Sequence, residues 1–537
     1  FLNSDVKMNT LIVKEGATVE STGGNKAIWM QDPNKKANKG KLVVESGANV
    51  HSVYLDVTEG STEWPVEVSV AASSLTDQSE NKGIYTDNIP AGYAVVNENG
   101  IWTISYTCAA KIGETEYNSI QAAFEAAQNG DTIVLQRDIN LAKPVVVAED
   151  KTAVLDLNGK KIINTNASEN YGESEGIIVY GNLTIKGEGT IQGASMAVWA
   201  RGGNGDAVIN IKGGKFLGCQ EGLAEGGRAV IYASSNNTVN IYGGEFQALA
   251  ADKSSFAASQ YPVLNVADNK GMINVYGGRF HNQNPAAPGT EPKAWNEAHP
   301  YGFVNDDCVA TEDNGIWTVS RKPDVAKIGE DGYTSLQKAF NAVDNGTIVL
   351  VSDITLENTA VIAEGKTLVL DLNGFKITTP FVEGSDTNHT YAFENHGSLT
   401  IQDSKGNGQI IARGIFNYGT MTLKSGTINA CDGNGGYGVR NYEGAEFIMN
   451  GGSIVTSYED GDIPGEGYDA SPVRVDEGAT ATINGGAINN VSNFTVAIDN
   501  YGTTTINDGT FTTIHTTIAN SASMTINGGS FTCNGLE

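Results

Sequence analysis

The residues of this chain that could do chemistry are scattered along it. Its six histidines, His51, His281, His299, His389, His396 and His515, form no His-x-x-x-His pair or comparable ligand spacing. The five cysteines, Cys108, Cys219, Cys308, Cys431 and Cys533, stand far apart without a Cys-x-x-Cys, so they read as isolated thiols. Asp306-Asp307 is the only Asp-Asp pair. General acid–base work needs two carboxylates in close approach, and spacing singles out no such pair. No catalytic residue is therefore assigned. Arg413, Arg440 and Arg474 recur in the C-terminal half and read as surface cations of an acidic chain. One loop, Tyr458 to Asp469, concentrates carboxylates, and Asp460, Asp462, Glu466 and Asp469 are its candidate Ca²⁺ ligands. It fits no complete EF-hand spacing, and no other metal or cofactor is expected. The ligand-binding candidates are aromatic. Trp295 lies in a proline-rich insertion, and Tyr418, Tyr442 and Tyr501, with Trp199, offer rings for stacking on a sugar.

Composition narrows the class. The chain has 537 residues, with 34 Lys+Arg against 62 Asp+Glu and a net charge of −28. Such a charge repels phosphate backbones, so a nucleic-acid partner is excluded. No apolar run approaches the roughly 18 residues that span a bilayer. A hydrophobic fraction of 40% is too high for a disordered chain. The 65 glycines exceed the usual share of roughly 7%, but without a G-X-Y period they are not collagen-like. A large protein rich in turns and polar β-formers remains.

The elements that must position the candidates come in modules. Ala110-Lys111-Ile112-Gly113 leads to Tyr117-Asn118-Ser119-Ile120-Gln121-Ala122-Ala123-Phe124, and Ala326-Lys327-Ile328-Gly329 leads to Tyr333-Thr334-Ser335-Leu336-Gln337-Lys338-Ala339-Phe340. Leu155-Asp156-Leu157-Asn158-Gly159 recurs as Leu370-Asp371-Leu372-Asn373-Gly374. A closing segment, Asn99-Gly100-Ile101-Trp102, recurs as Asn314-Gly315-Ile316-Trp317. Residues 1–105 thus read as the C-terminal part of a preceding module, 106–321 as a complete module, and 322–537 as a second module without its closing segment. The parent is expected to be a longer array.

A finer unit runs inside each module. Alternating apolar and polar residues end in Gly-Gly or Asp-Gly and then an aromatic or aliphatic residue, as in Val239-Asn240-Ile241-Tyr242-Gly243-Gly244-Glu245-Phe246 and Met524-Thr525-Ile526-Asn527-Gly528-Gly529-Ser530-Phe531. Period-2 alternation predicts strands with one buried face, and the glycines predict turns needing positive φ. Such a unit cannot bury its own face, so successive coils must stack about 4.8 Å apart. Asn395, Asn417, Asn441, Asn500 and Asn520 recur once per coil, with Val475 in the matching place of one coil, and predict a column of amides that satisfy one another. Alternation then puts Tyr418, Tyr442 and Tyr501 on the outside. Short helices capped by Ser119 and Ser335, and stopped at Asn129-Gly130 and Asn345-Gly346, are expected to cover open coil ends. The fold class is all-β: parallel β-helix solenoid modules with short capping helices.

The Tyr117-to-Ala127 segment with Asp131-Thr132-Ile133-Val134-Leu135, the Leu-Asp-Leu-Asn-Gly strings and the Gly-Gly coils resemble right-handed parallel β-helix modules of the pectin-lyase-like architecture, more narrowly those repeated in surface adhesins of gut-type bacteria. Hydrolases of that architecture carry clustered aspartates, a Gly-His-Gly and an Arg-Ile-Lys; here His396 stands in Asn395-His396-Gly397 and no Arg-Ile-Lys exists. The resemblance implies a non-catalytic, extracellular, cell-surface adhesin fragment, a monomeric stiff rod whose loops bind a host glycoprotein, a glycan or another bacterial surface. Three insertions would present such loops: 251–261, 281–300 and 458–469. The alternatives are a polysaccharide lyase or glycoside hydrolase of the β-helix class, and a phage tail-spike component, which would trimerise.

Overall fold

The computed structural model describes residues 10–534 apart from 22–25, 33–39, 58–63, 65, 78–82, 88–92, 202–205, 220–227, 250–262, 267–270, 287–301, 381–389, 431–436, 457–470, 491–495 and 515. The chain divides into two compact units, Phe1–Arg321 and Lys322–Glu537.

In the second unit each coil but the last contributes one strand to each of three sheets. The first sheet runs from Asn345–Leu350 to Ser523–Ile526, the second from Ile354–Thr355 to Ser530–Cys533, and the third from Ala360–Ile362 to Ile518–Asn520. Each strand pairs in parallel with its counterpart one coil on. In the first sheet, for example, Leu399 lies beside Met421, Met421 beside Phe447, and Phe447 beside Ala481. This is a parallel β-helix. Alternation decides which residues enter the core. In Thr420–Leu423 the second and fourth residues are buried, and the same holds in Thr427–Ala430 and Ser453–Thr456.

The first unit repeats the plan. Its three sheets begin at Thr132–Leu135, Ile139–Asn140 and Val145–Val147. Phe216, Phe246 and Phe280 stack along its core at ring separations of 5.0 and 4.9 Å. Residues 10–106 belong to the same compact unit, yet they bury a separate core of Leu42, Val50, Val53, Leu55 and Val70.

The glycine corners take the conformation expected of them. The second glycine of each pair has positive φ, as at Gly214, Gly244 and Gly486. A Cβ on Gly244 would stand 3.0 Å from the carbonyl oxygen of Gly214 one coil below. The Leu-Asp-Leu-Asn-Gly strings are turns as well. Asp156 Oδ1 accepts from the Asn158 backbone N–H, Asn158 Nδ2 donates to the Leu135 carbonyl, and Asp371, Asn373 and Leu350 repeat both bonds.

The ends are sealed by specific groups. Ser119 and Ser335 cap the helices Ile120–Ala126 and Leu336–Ala342, accepting from the backbone N–H of Ala122 and Lys338. Each helix also supplies a glutamine that behaves as a missing strand. Gln121 Oε1 accepts from Val146 N at 2.9 Å while its Nε2 donates to Val146 O at 3.1 Å, and Gln337 does the same for Val361 at 2.6 and 2.9 Å. The free edge of the third sheet is thereby satisfied. At the other end of the first unit, Gln283 accepts from Val263 N and Leu264 N. The closing segments are antiparallel hairpins with two-residue turns in positive φ, Asn99-Gly100 and Asn314-Gly315. The first caps the first sheet at Val66–Ala71, and the second caps the second sheet at Gly278–His281. Both helices end two residues before the expected stops, at Ala127 and Val343, and the second stop is part of a strand. Asn345-Gly346 opens the strand Asn345–Leu350, because the edge of Thr367–Asp371 recruits these residues into parallel pairing.

Gly244→Ala is expected to cost about 1–3 kcal/mol, since it combines positive φ with the close carbonyl. Gly130→Ala, with φ of +90° and open space around it, should cost less in the same denaturant titration; equal losses would refute the stacking argument. A second expectation concerns acid. The Lys215 hydrogen bond draws the Glu245 carboxyl below its ordinary 4.5, outweighing burial, with help from His281. This stabilisation is complete above about 4.5 and is lost as pH falls through the lower, folded value. Lys215→Met should therefore flatten the acid limb of a stability–pH curve.

Candidate functional site on the third sheet

The third sheet of the second unit is built on an internal column of amides. Asn395, Asn417, Asn441, Val475, Asn500 and Asn520 are successive register partners. Asn395 Nδ2 donates to Asn417 Oδ1 at 2.8 Å, Asn417 Nδ2 to Asn441 Oδ1 at 2.7 Å, and Asn500 Nδ2 to Asn520 Oδ1 at 2.7 Å. Each donor also reaches a carbonyl of the next coil, such as Glu446 O from Asn417 at 2.9 Å. Asn395, Asn417, Asn441 and Asn500 are completely buried, so these bonds fill a demand that water cannot meet. Val475 interrupts the column, and Asn441 Nδ2 donates to Thr480 O at 2.7 Å instead.

With the asparagines inward, the residues on either side of them face outward in two columns. One holds Glu394, Phe416, Arg440, Arg474 and Asp499. The residues that follow the asparagine column form the other: His396, Tyr418, Tyr442, Asp476 and Tyr501. His396 stacks on Tyr418 at 4.9 Å and Tyr418 on Tyr442 at 4.3 Å, both with nearly parallel ring planes. The Arg440 guanidinium lies 4.5 Å over Tyr442, and that of Arg474 lies 4.7 Å over Tyr501. Asp476 joins the columns. Its oxygens accept from Arg440 Nε at 2.9 Å and Arg474 Nε at 2.7 Å, and Arg474 Nη1 reaches Asp499 at 3.0 Å. Burial of Arg474 opposes its charge, but the Asp476 hydrogen bond and the nearby charges prevail and raise its pKa. Burial, reinforced by the Tyr418 hydroxyl, pushes the Tyr442 phenol upward as well.

This arrangement qualifies the reading of the aromatics as sugar platforms. Tyr418 and Tyr442 come together, but the two faces of Tyr418 are taken by His396 and Tyr442, and Arg440 stacks on Tyr442. Edges and hydroxyls are therefore what these rings offer. Tyr501 is separated from them by the Asp476 coil. Arg413 stands outside the arginine column, over Tyr391 at 5.1 Å. Trp199 belongs to the other unit and is buried beside Tyr171 and Tyr232. Trp295, the acidic loop with Asp460, Asp462, Glu466 and Asp469, the 251–261 insertion, Cys431, His299, His389 and His515 lie outside the described residues. Burial pushes the Cys219 thiol up to about 12. Among the described residues no group of three or more His, Cys, Asp or Glu is placed to hold a metal ion.

The same face recurs in the other modules. In the first unit Arg201 stacks 4.5 Å over Trp199, and Arg228 lies 4.4 Å over Tyr171. In residues 10–106 Lys26 lies over Trp29 and Tyr54, at 4.3 and 4.5 Å, and Tyr54 stacks on Tyr85. Every cation–aromatic contact among the described residues falls in the third sheet or directly beside it. The variable connections meet the same face. Those from the second to the third sheet of the second unit range from residue 413 alone to 379–392 and 457–470, and all three insertions singled out in the sequence follow a second-sheet strand.

The roles of Asp476, Asp499, Phe416 and Glu394 escape a reading limited to residue type. Their signal is positional, since each stands immediately before or after a member of the asparagine column. A second set of amides forms a column of its own. Asn527 donates to Asn507, Asn507 to Asn484 and Asn484 to Asn450, along the corner beside the glycines.

No family model, curated protein or solved structure matches this chain. No helix among the described residues is long and apolar enough to cross a membrane.

Asn417→Ala is expected to cost about 2–4 kcal/mol, because it strands buried partners in two coils. Asn520→Ala, at an exposed position, should stay within about 1 kcal/mol. Chemical denaturation of both variants measures the difference, and equal losses would show that the column contributes little.

Proposed function

We propose that this chain is part of a non-catalytic bacterial cell-surface adhesin, built of β-helix modules of the pectin-lyase-like kind, which engages a host glycoprotein, a glycan or another bacterial surface. The observation that carries this reading is the recurrence of one cation–aromatic face, beside the variable corner, in three successive modules. Repetition suits binding. Weak sites on one chain reinforce one another through effective concentration, whereas a catalytic centre gains nothing comparable from an imperfect copy. The pairing of both Arg440 and Arg474 with Asp476 also suits recognition, since it commits the face's cations and carboxylates to each other.

Incubation with pectins and mucin-type glycans is expected to release neither reducing nor unsaturated ends, while the chain adheres to immobilised glycoprotein or to cells. Product release would overturn the reading in favour of a lyase or hydrolase. Light scattering should report a monomer; a stable trimer would favour a tail-spike component.

A further inference from the structure

The inward amide column and one outward column of the second unit change character at a single coil. At Ser471–Val475 the amide column is broken by Val475, and the next residue, Asp476, stands where neighbouring coils carry Tyr442 and Tyr501. A column serving stability alone would continue through this coil. Here a carboxylate with 16% side-chain exposure replaces a ring, and its desolvation cost is met only because two guanidinium groups converge on it. Local departures from an otherwise consistent pattern are where function is to be sought.

We propose that the cluster of Arg440, Arg474, Asp476 and Asp499, flanked by the hydroxyl edges of Tyr442 and Tyr501, binds vicinal hydroxyls of an uncharged glycan. The inference rests on the adhesin reading and names its ligand class. Two guanidinium and two carboxylate groups cancel, so the cluster offers little net attraction to an ion. It offers instead a fixed alternation of donors and acceptors. A sugar hydroxyl both donates and accepts, and a pair of neighbouring hydroxyls can span a guanidinium and a carboxylate. Arg440 reaches Asp476 through Nε, and its terminal amines have no hydrogen-bond partner among the described residues. The stacking of Arg440 on Tyr442 and of Arg474 on Tyr501 holds the donors in place before a ligand arrives, which lowers the entropy cost of binding. Because the ring faces are already occupied, recognition is polar and runs along the edge of the column.

The whole chain is applied to an array of neutral, sialylated, sulfated and uronate-containing oligosaccharides, with Kd measured for the best ligand at low and high salt. Binding is expected on neutral glycans and should be insensitive to salt. Asp476→Asn and Arg440→Gln should each weaken it at least about tenfold. Thr482→Ala, on the outer face of the first sheet in the coil that also carries Asp499, should leave it unchanged. Asp476→Asn keeps the shape of the side chain, and thermal unfolding of each variant separates lost binding from lost fold. Binding confined to acidic glycans and weakened by salt would overturn the proposal, as would neutral-glycan binding that ignores both substitutions. Adhesion to protein or cells with no glycan bound would overturn it while leaving the adhesin reading intact, and release of product would instead sink the adhesin reading.

Discussion

Each coil of this protein leaves its backbone edges unpaired on two sides, and the molecule is organised around satisfying them with the coil above and the coil below. Parallel pairing in register does this without any particular side chain, and so it tolerates wide sequence variation. What it does not tolerate is an open end. The first coil of a module meets that demand with two groups of different kind: an antiparallel hairpin on the first sheet, as Ala110–Ile112 pairs with Thr132–Leu135, and a glutamine amide on the third, as Gln121 pairs with Val146. A primary amide presents one donor and one acceptor at nearly the spacing of a peptide group, which makes it a one-residue substitute for a strand. Lys151 and Lys366 complete the seal by donating to the last carbonyls of the helices, Ala127 O and Val343 O among them.

In-register stacking has a second consequence. A side chain sees its own counterpart about one strand spacing away, so identical residues form columns. Apolar columns such as Phe216, Phe246 and Phe280 fill the core, and asparagine columns serve where a polar group must be buried. Asparagine is suited to this because its amide donates in one direction along the axis and accepts from the other. A single column can also change chemistry between modules. The position before the glycine corner holds Tyr242 stacked on Tyr276 in the first unit, and hydrogen-bonded Asn450, Asn484, Asn507 and Asn527 in the second.

These regularities explain what was legible in the sequence. Period-2 alternation, glycine pairs and the once-per-coil asparagine are local signals with a single physical meaning, and they carried the fold class, the inward amide column and the outward tyrosines. The Ser119 and Ser335 caps were legible for the same reason. Asn345-Gly346 was misread because local turn preference competes with the pull of an unpaired strand edge, which a linear reading does not contain. The roles of Gln121 and Gln337 were hidden, although both belong to the repeated string, since nothing in an exposed helical glutamine announces that it faces a strand. The Asp476 cluster was hidden because its members come from three coils, and only the register sets Arg440 beside Arg474.

Geometry also accounts for the concentration of irregular features on one face. Where glycines stack, the corner between the first and second sheets keeps a constant length, whereas the corners 372–375 and 403–408 of the earlier coils are longer. Gly244 lies over the Gly214 carbonyl and Gly486 over the Gly452 carbonyl, with no space for a side chain, and the connections 450–452, 484–486, 507–509 and 527–529 keep one length. A side chain at those stacked glycines would meet the carbonyl of the coil below. The corner between the second and third sheets has close glycine approaches of its own, Gly414 to the Tyr437 carbonyl and Gly438 to the Pro472 carbonyl, yet its connections vary far more in length, from residue 413 alone to 379–392 and 457–470. Insertions therefore accumulate beside the third sheet, and the outer face of that sheet is the surface they flank. The demand for unbroken pairing elsewhere directs variation, and with it the opportunity for recognition, to this one side of each module.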